Sequence, residues 1–286
     1  MDTPDAENMI TLSQGVHLVL DKSFLPGQSA IMVPHTTDGR VLFATPWHDK
    51  VIVGTTDTPV KDVLLEPRPL PEEIDFLLSH AAKYLTKDPK SSDVLSIFAG
   101  LRPLVSHGTG GSTSAISRDH TIYISRSGLV TITGGKWTTC RKMAEDTIDQ
   151  AALVAHLDEK PSVTVNLPIH GYHNKPETFG DLAIYGSDAQ FIKDLLMRSP
   201  DLQEKLHPKF TAVAGEVVWA ARNEMARTVE DFLARRIRAL LLDARASMEM
   251  APQVARLMAK ELGHDEAWIE KQIYDYRKLA REYLII

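Results

Sequence analysis

The chain has 286 residues, 43% of them hydrophobic and 24% charged, with a net charge of -6 and a pI near 6.0. That balance describes a globular protein able to bury a core, and it gives no basis for binding nucleic acid or an anionic membrane. A single cysteine, Cys140, excludes an internal disulfide framework and suits a reducing compartment; no C-x-x-C or H-E-x-x-H pattern supports zinc.

The acidic start, MDTPDAENM, is not a signal peptide, and no apolar run reaches membrane-spanning length, so a cytoplasmic location is expected. From about Thr11 to Thr133 the chain reads mainly as strands. VHLVLD, AIMVPH, RVLFATPW and KVIVGTTD are β-branched runs separated by turn signals, with Asp38-Gly39 as a hairpin. One helix interrupts them after Pro71, with Ile74, Leu77, Leu78, Ala81 and Leu85 on one face. HTIYIS and LVTITG come next as two further strands.

The stretch TITGGKWTTCRK then turns from strand to helix. It is not a P-loop: Trp137 follows Lys136 where Ser or Thr is required, and Val130 stands where the first glycine belongs. Its glycines either close a tight turn or let the backbone approach an anion. Cys140, Met143, Ala144, Thr147, Ile148 and Ala151 form a helical stripe, which makes Cys140 a core thiol.

Residues 161–170 read as a linker. Beyond them the pattern is helical: Ser187 to Leu196, Thr211 to Glu224, a capping box of Thr228 and Asp231 before FLARRIRALLL, Met250 to Leu262 stopped by Gly263, and Asp265 to Tyr283. Arg235, Arg236 and Arg238 fit a solvated, ion-paired face. The expected organisation is α+β: residues 1–160 as a mixed or antiparallel sheet region, then residues 171–286 as an all-α domain.

Five stretches carry a family resemblance. GVHLVL (15–20), GTTDTP (54–59), AGLRPL (99–104) with SRDH (117–120), GGKWTTCRKMAED (134–146) and the tail 216–247 resemble, in order and spacing, the FAD-dependent glycerol-3-phosphate dehydrogenases and their helical C-terminal domain. The family's G-x-G-x-x-G segment, which seats the ADP half of FAD, is absent; the cluster Gly108, Gly110 and Gly111 lacks the flanking strand and helix. The resemblance therefore implies the C-terminal half of a longer flavoprotein, one that by itself retains no FAD.

It further implies roles for particular residues. Arg102 and Arg118 would bind the substrate phosphate, with Arg102 counted among the catalytic groups. His17 would take the hydroxyl proton. Thr55, Thr56, Gly134, Gly135, Lys136, Trp137 and Thr138 would lie against the flavin, and Lys136 would also reach substrate. Each has a plainer alternative: an ion pair with Asp119 for Arg118, a packed histidine for His17, and sheet bracing for Asp57.

The implied partners are glycerol 3-phosphate and a quinone, with peripheral membrane association of the parent enzyme. A homodimer is compatible with the sequence, which does not fix the oligomeric state. Two other readings stay open, a related FAD-dependent oxidase using oxygen and a non-catalytic interaction module.

Overall fold

The structure is a computed structural model and describes residues 9–36, 39–105 and 119–285. The chain divides into two compact units, Met1–Gly15 with Thr56–Pro67 and Ala99–Pro168, and Val16–Thr55 with Arg68–Phe98 and Ile169–Ile286.

The second unit has a sheet and a set of helices. β1 (Ile10–Asp21) enters it at Val16 and pairs antiparallel with β4 (Lys50–Gly54), placing Leu18 opposite Val53 and Leu20 opposite Val51. β3 (Leu42–Trp47) pairs with β4 and with β2 (Ile31–Val33), again antiparallel. The β-branched runs recognised in the sequence thus become a sheet whose Val16, Leu18, Leu20, Val51 and Val53 are fully buried. Gly39, in the turn between β2 and β3, takes a φ of 82°; Asp38 lies outside the described residues.

α1 (Pro71–Ala81) starts where the sequence indicates. Pro71 occupies its first turn, and Glu73 accepts the Leu70 N–H at 2.9 Å. The helix stops at Ala81, one turn short of Leu85.

The helical part holds the largest core. α4 (Ala214–Asn223), α5 (Ala239–Leu242), α6 (Ala244–Leu262) and α7 (Glu266–Arg281) share a core with Phe232, Leu233, Met250, Met258 and Tyr276, while α3 (Ala189–Arg198) buries Ala189 and Ile192 with Leu182 in a smaller cluster. The capping box is present: Asp231 N–H donates to Thr228 Oγ1 at 3.1 Å, and Thr228 N–H to Asp231 Oδ2 at 2.9 Å.

Beyond this box the chain departs from the continuous α-helix expected. Asp231–Arg236 is a π-helical turn, and Arg238 is left-handed at φ 57°. Arg236 donates to the carbonyls of Glu224 and Asp231, so the wider turn is fastened from outside while Phe232 and Leu233 stay inside. α6 also begins six residues earlier than Met250, because Asp243 caps it by accepting the Ala246 N–H at 3.0 Å.

Hydrogen bonds tie the start of β6 (Ser96–Val105) to these helices. Ser96 Oγ donates to the Leu240 carbonyl at 2.9 Å, and Ile97 N–H donates to the Tyr283 carbonyl at 2.9 Å. Among the described residues no helix is long and apolar enough to cross a membrane.

One buried acid in this unit sets a pH dependence. Glu216 accepts the Val213 N–H at 2.7 Å and the Tyr185 hydroxyl at 2.9 Å, yet burial pushes its carboxyl above the usual range. The folded state therefore binds more protons than the unfolded one between the ordinary value of 4.5 and the raised one, and stability falls as pH rises through that window. Glu216→Gln keeps an acceptor for Val213 and removes the ionisation. Denaturant midpoints of variant and parent are expected to agree at pH 4 and to separate in the variant's favour at pH 8; equal separation at both would contradict the assignment.

In the first unit, β1 pairs antiparallel with β5 (Thr58–Pro59), Ser13 facing Pro59 and Gln14 facing Thr58. β7 (His120–Ile124) and β8 (Val130–Gly134) form an antiparallel hairpin with His120 opposite Gly134. α2 (Cys140–Val154) packs on β8. Its stripe has the expected period, but no residue of α2 is buried. Cys140 is exposed and not a core thiol, and Ile148 is 67% exposed; among the described residues of this unit the helix leans on the two-stranded hairpin through side chains such as Met143.

Candidate functional site

Arg102 lies on β6 and its guanidinium is held on several sides. Nη1 donates to the Thr56 carbonyl at 3.1 Å and stands 3.7 Å from Asp57 Oδ1. The guanidinium occupies the space above Gly15, where a Cβ would fall 2.1 Å from Nη2. Only glycine at position 15 leaves that room.

The Gly-Gly-Lys turn links β8 to α2. Gly134 and Gly135 take φ values of 76° and 72°, a region that favours glycine. A Cβ on Gly134 would meet the Asp119 carbonyl at 2.8 Å, and one on Gly135 would meet Met143 Sδ at 2.4 Å. Packing against backbone therefore requires glycine at 134, while at 135 the backbone conformation is the stronger requirement, since the Met143 side chain can move aside. Thr139 steadies the turn by accepting the Lys136 N–H at 3.1 Å and donating to the Lys136 carbonyl at 2.9 Å. The N–H groups of Trp137 and Thr138, which open the helical segment, have no intrahelical acceptor.

Further along, His120 Nε2 lies 3.0 Å from Asp146 Oδ2, pinning β7 to α2. Lys142 beside Asp146 holds that carboxyl below its usual range.

One cleft of about 340 Å³ is lined by the segment 101–105 and by Gly134, Gly135, Lys136 and Trp137. It brings Arg102 and Lys136, 34 residues apart in sequence, to a common wall. Lys136, Trp137 and Thr138 are exposed, Trp137 at 89%.

His17 belongs to the other unit. It pairs across to Gly54, and its ring stacks on Phe98 with centroids 5.5 Å apart and planes at 18°. A Cβ on Gly54 would lie 2.1 Å from the ring, so that glycine makes room for the histidine. Thr55 is half-buried in that unit; Thr56 is fully buried and lends Arg102 its carbonyl. Arg118 lies outside the described residues.

Sequence reading missed Ser13 and the specific tasks of Gly15 and Gly54. The alternation of a strand was the available signal, since Ser13 and Gly15 are two residues apart on β1 and share a face.

Two family models match the chain: "FAD dependent oxidoreductase" over residues 1–141, and "C-terminal domain of alpha-glycerophosphate oxidase" over residues 130–269. The chain belongs to the FAD-dependent glycerol-3-phosphate dehydrogenase family. It is 37% identical to the mitochondrial glycerol-3-phosphate dehydrogenase of Homo sapiens, over 97% of this chain and 41% of that protein. It is also 37% identical to a probable mitochondrial glycerol-3-phosphate dehydrogenase of Caenorhabditis elegans, over 93% of this chain and 40% of that one.

A crystal structure of the glycerol-3-phosphate dehydrogenase from Bacillus halodurans complexed with FAD aligns with a TM-score of 0.77 at 29% identity, covering 96% of this chain and 57% of that one. The α+β class, with an antiparallel sheet and a helical C-terminal region, is that of this glycerol-3-phosphate dehydrogenase. The chain spans about two fifths of the length of the curated relatives it matches.

Proposed function

We propose that this chain supplies the substrate-phosphate site and the flavin-edge turn of a FAD-dependent glycerol-3-phosphate dehydrogenase, which oxidises sn-glycerol 3-phosphate to dihydroxyacetone phosphate and passes electrons to a quinone. The observation that carries this reading is the shared cleft of Arg102 and Lys136 beside the Gly134–Gly135 turn. A dianionic phosphate monoester matches a planar, fixed guanidinium.

The turn suits part of a flavin. It offers N–H groups with no intrahelical acceptor at a helix start and an exposed ammonium, a donor set fitted to the negative pyrimidine edge of an isoalloxazine ring. FAD, when bound, accepts the hydride released from C2 of the alcohol. Gly134, Gly135, Trp137 and Thr138 would hold that edge, Thr55 would meet the flavin, Thr56, fully buried, would act through the carbonyl it lends Arg102, and Lys136 would hold negative charge there while reaching toward substrate. Arg102, with Arg118 as the second cation, grips and orients the phosphate. His17 accepts the proton of the C2 hydroxyl.

The experiment joins this chain to the dinucleotide-binding half of the Bacillus halodurans relative and follows flavin absorbance at about 450 nm without oxygen. Glycerol 3-phosphate is expected to bleach the band quickly, and glycerol only far more slowly. A flavin-loaded protein that glycerol 3-phosphate does not bleach would overturn the reading. Readmitting oxygen or a quinone analogue then distinguishes an oxidase from a dehydrogenase.

A further inference from the structure

Ser13 is fully buried, and a hydroxyl shut away from water needs a partner. Its Oγ–H donates to Asp57 Oδ1. The same carboxylate oxygen stands 3.7 Å from Nη1 of Arg102, and Nη1 also donates to the carbonyl of Thr56, the residue before Asp57. Gly15, on the same face of β1 as Ser13, forms the floor under the guanidinium, with a notional Cβ 2.4 Å from Cζ. The group is thus tied along one edge and backed by bare backbone.

A free arginine side chain has many rotamers to lose when it binds an anion. A carboxylate next to an anion-binding arginine also weakens the attraction it was placed beside. Asp57 is 13% exposed and Arg102 26%, so neither is loosely solvated. An acid in that position gains nothing for raw anion affinity; what it contributes is direction.

We propose that Ser13 and Asp57 are positioning residues for Arg102: the hydroxyl fixes the carboxylate, and the carboxylate fixes the guanidinium over Gly15, facing the cleft that Lys136 shares. The ligand class presented to it is a phosphate monoester, which rests on the function proposed above. The locking of Arg102 does not.

The test uses this chain and the Nε–H signal of Arg102 in NMR spectra, identified by its loss in Arg102→Lys. Ser13→Ala and Asp57→Asn are each expected to speed exchange of that proton with water about threefold or more, because the side chain swings more freely once its ion pair with Asp57 is loosened. Ser13→Ala removes a single oxygen, and an unchanged methyl spectrum verifies its fold. A purely structural role would lower stability and leave the Arg102 signal as it is; unchanged exchange in both variants overturns the proposal.

Inorganic phosphate provides the second arm. If the variants loosen Arg102 but phosphate never shifts its signal in the parent chain, the positioning stands and the phosphate role falls. If phosphate shifts the signal and the variants leave exchange unchanged, the phosphate role stands and the positioning falls.

Discussion

Arg102→Ala, made in this chain joined to a dinucleotide-binding half, is expected to lower kcat/KM for glycerol 3-phosphate by roughly 30-fold to several thousandfold. Removing one partner of a desolvated charge pair costs on the order of 2–5 kcal/mol, and each 1.4 kcal/mol is about tenfold. The guanidinium is held against Thr56 and over Gly15 before any ligand arrives, so little ordering remains for the substrate to supply. Arg102→Lys recovers only part of the loss, because an ammonium cannot reproduce the fork. Flavin content stays near the parent value. Glycerol, which lacks the phosphate, is the control: its poor turnover is expected to be unaffected, and an equal loss for both alcohols would move Arg102 to a structural or flavin-side role.

Phe232→Ala is expected to give the largest loss of stability. The ring is fully buried at the centre of the helical core, with Leu233 and Met258 in the same cluster. Truncating a buried phenylalanine costs about 3–5 kcal/mol, from lost transfer energy and the cavity left behind. In a unit of this size each kcal/mol lowers Tm by roughly 2–4 °C, so a fall of roughly 6–20 °C is expected in a thermal scan followed by circular dichroism. The π-helical turn that carries Phe232 limits collapse into the hole, since Arg236 is fastened to the Glu224 and Asp231 carbonyls. A cost below about 1 kcal/mol would mean that the turn relaxes and that its geometry is not fixed by the core.

Local chemistry was readable where a residue acts on its own neighbours. Pro71 and Glu73 start α1, Thr228 and Asp231 close a capping box, and Gly263 ends α6 at φ 74°, all from signals within four residues. Departures arose where distant contacts decide. The π turn after Thr228 depends on Arg236 reaching back twelve residues to Glu224, and no helical periodicity encodes that. Asp243 was a legible N-cap, overlooked because the residues after it, ARASME, lack a strong apolar stripe.

Cys140 shows the limit of periodicity. The stripe on α2 has the correct spacing, but spacing states which residues share a face and not what covers it. At the site, the family resemblance singled out Arg102 and Lys136, and the structure puts both on one cleft. Ser13 stayed invisible because a serine in a strand announces nothing until Asp57, 44 residues away, is placed beside it.

A crystal structure of the joined, flavin-loaded protein with glycerol 3-phosphate bound is the most direct measurement. The account predicts phosphate oxygens within about 3.2 Å of the Arg102 guanidinium, with Lys136 and the Gly134–Gly135 turn against the pyrimidine edge of the ring. A phosphate bound away from Arg102, or a flavin whose pyrimidine edge faces another part of the chain, would contradict it.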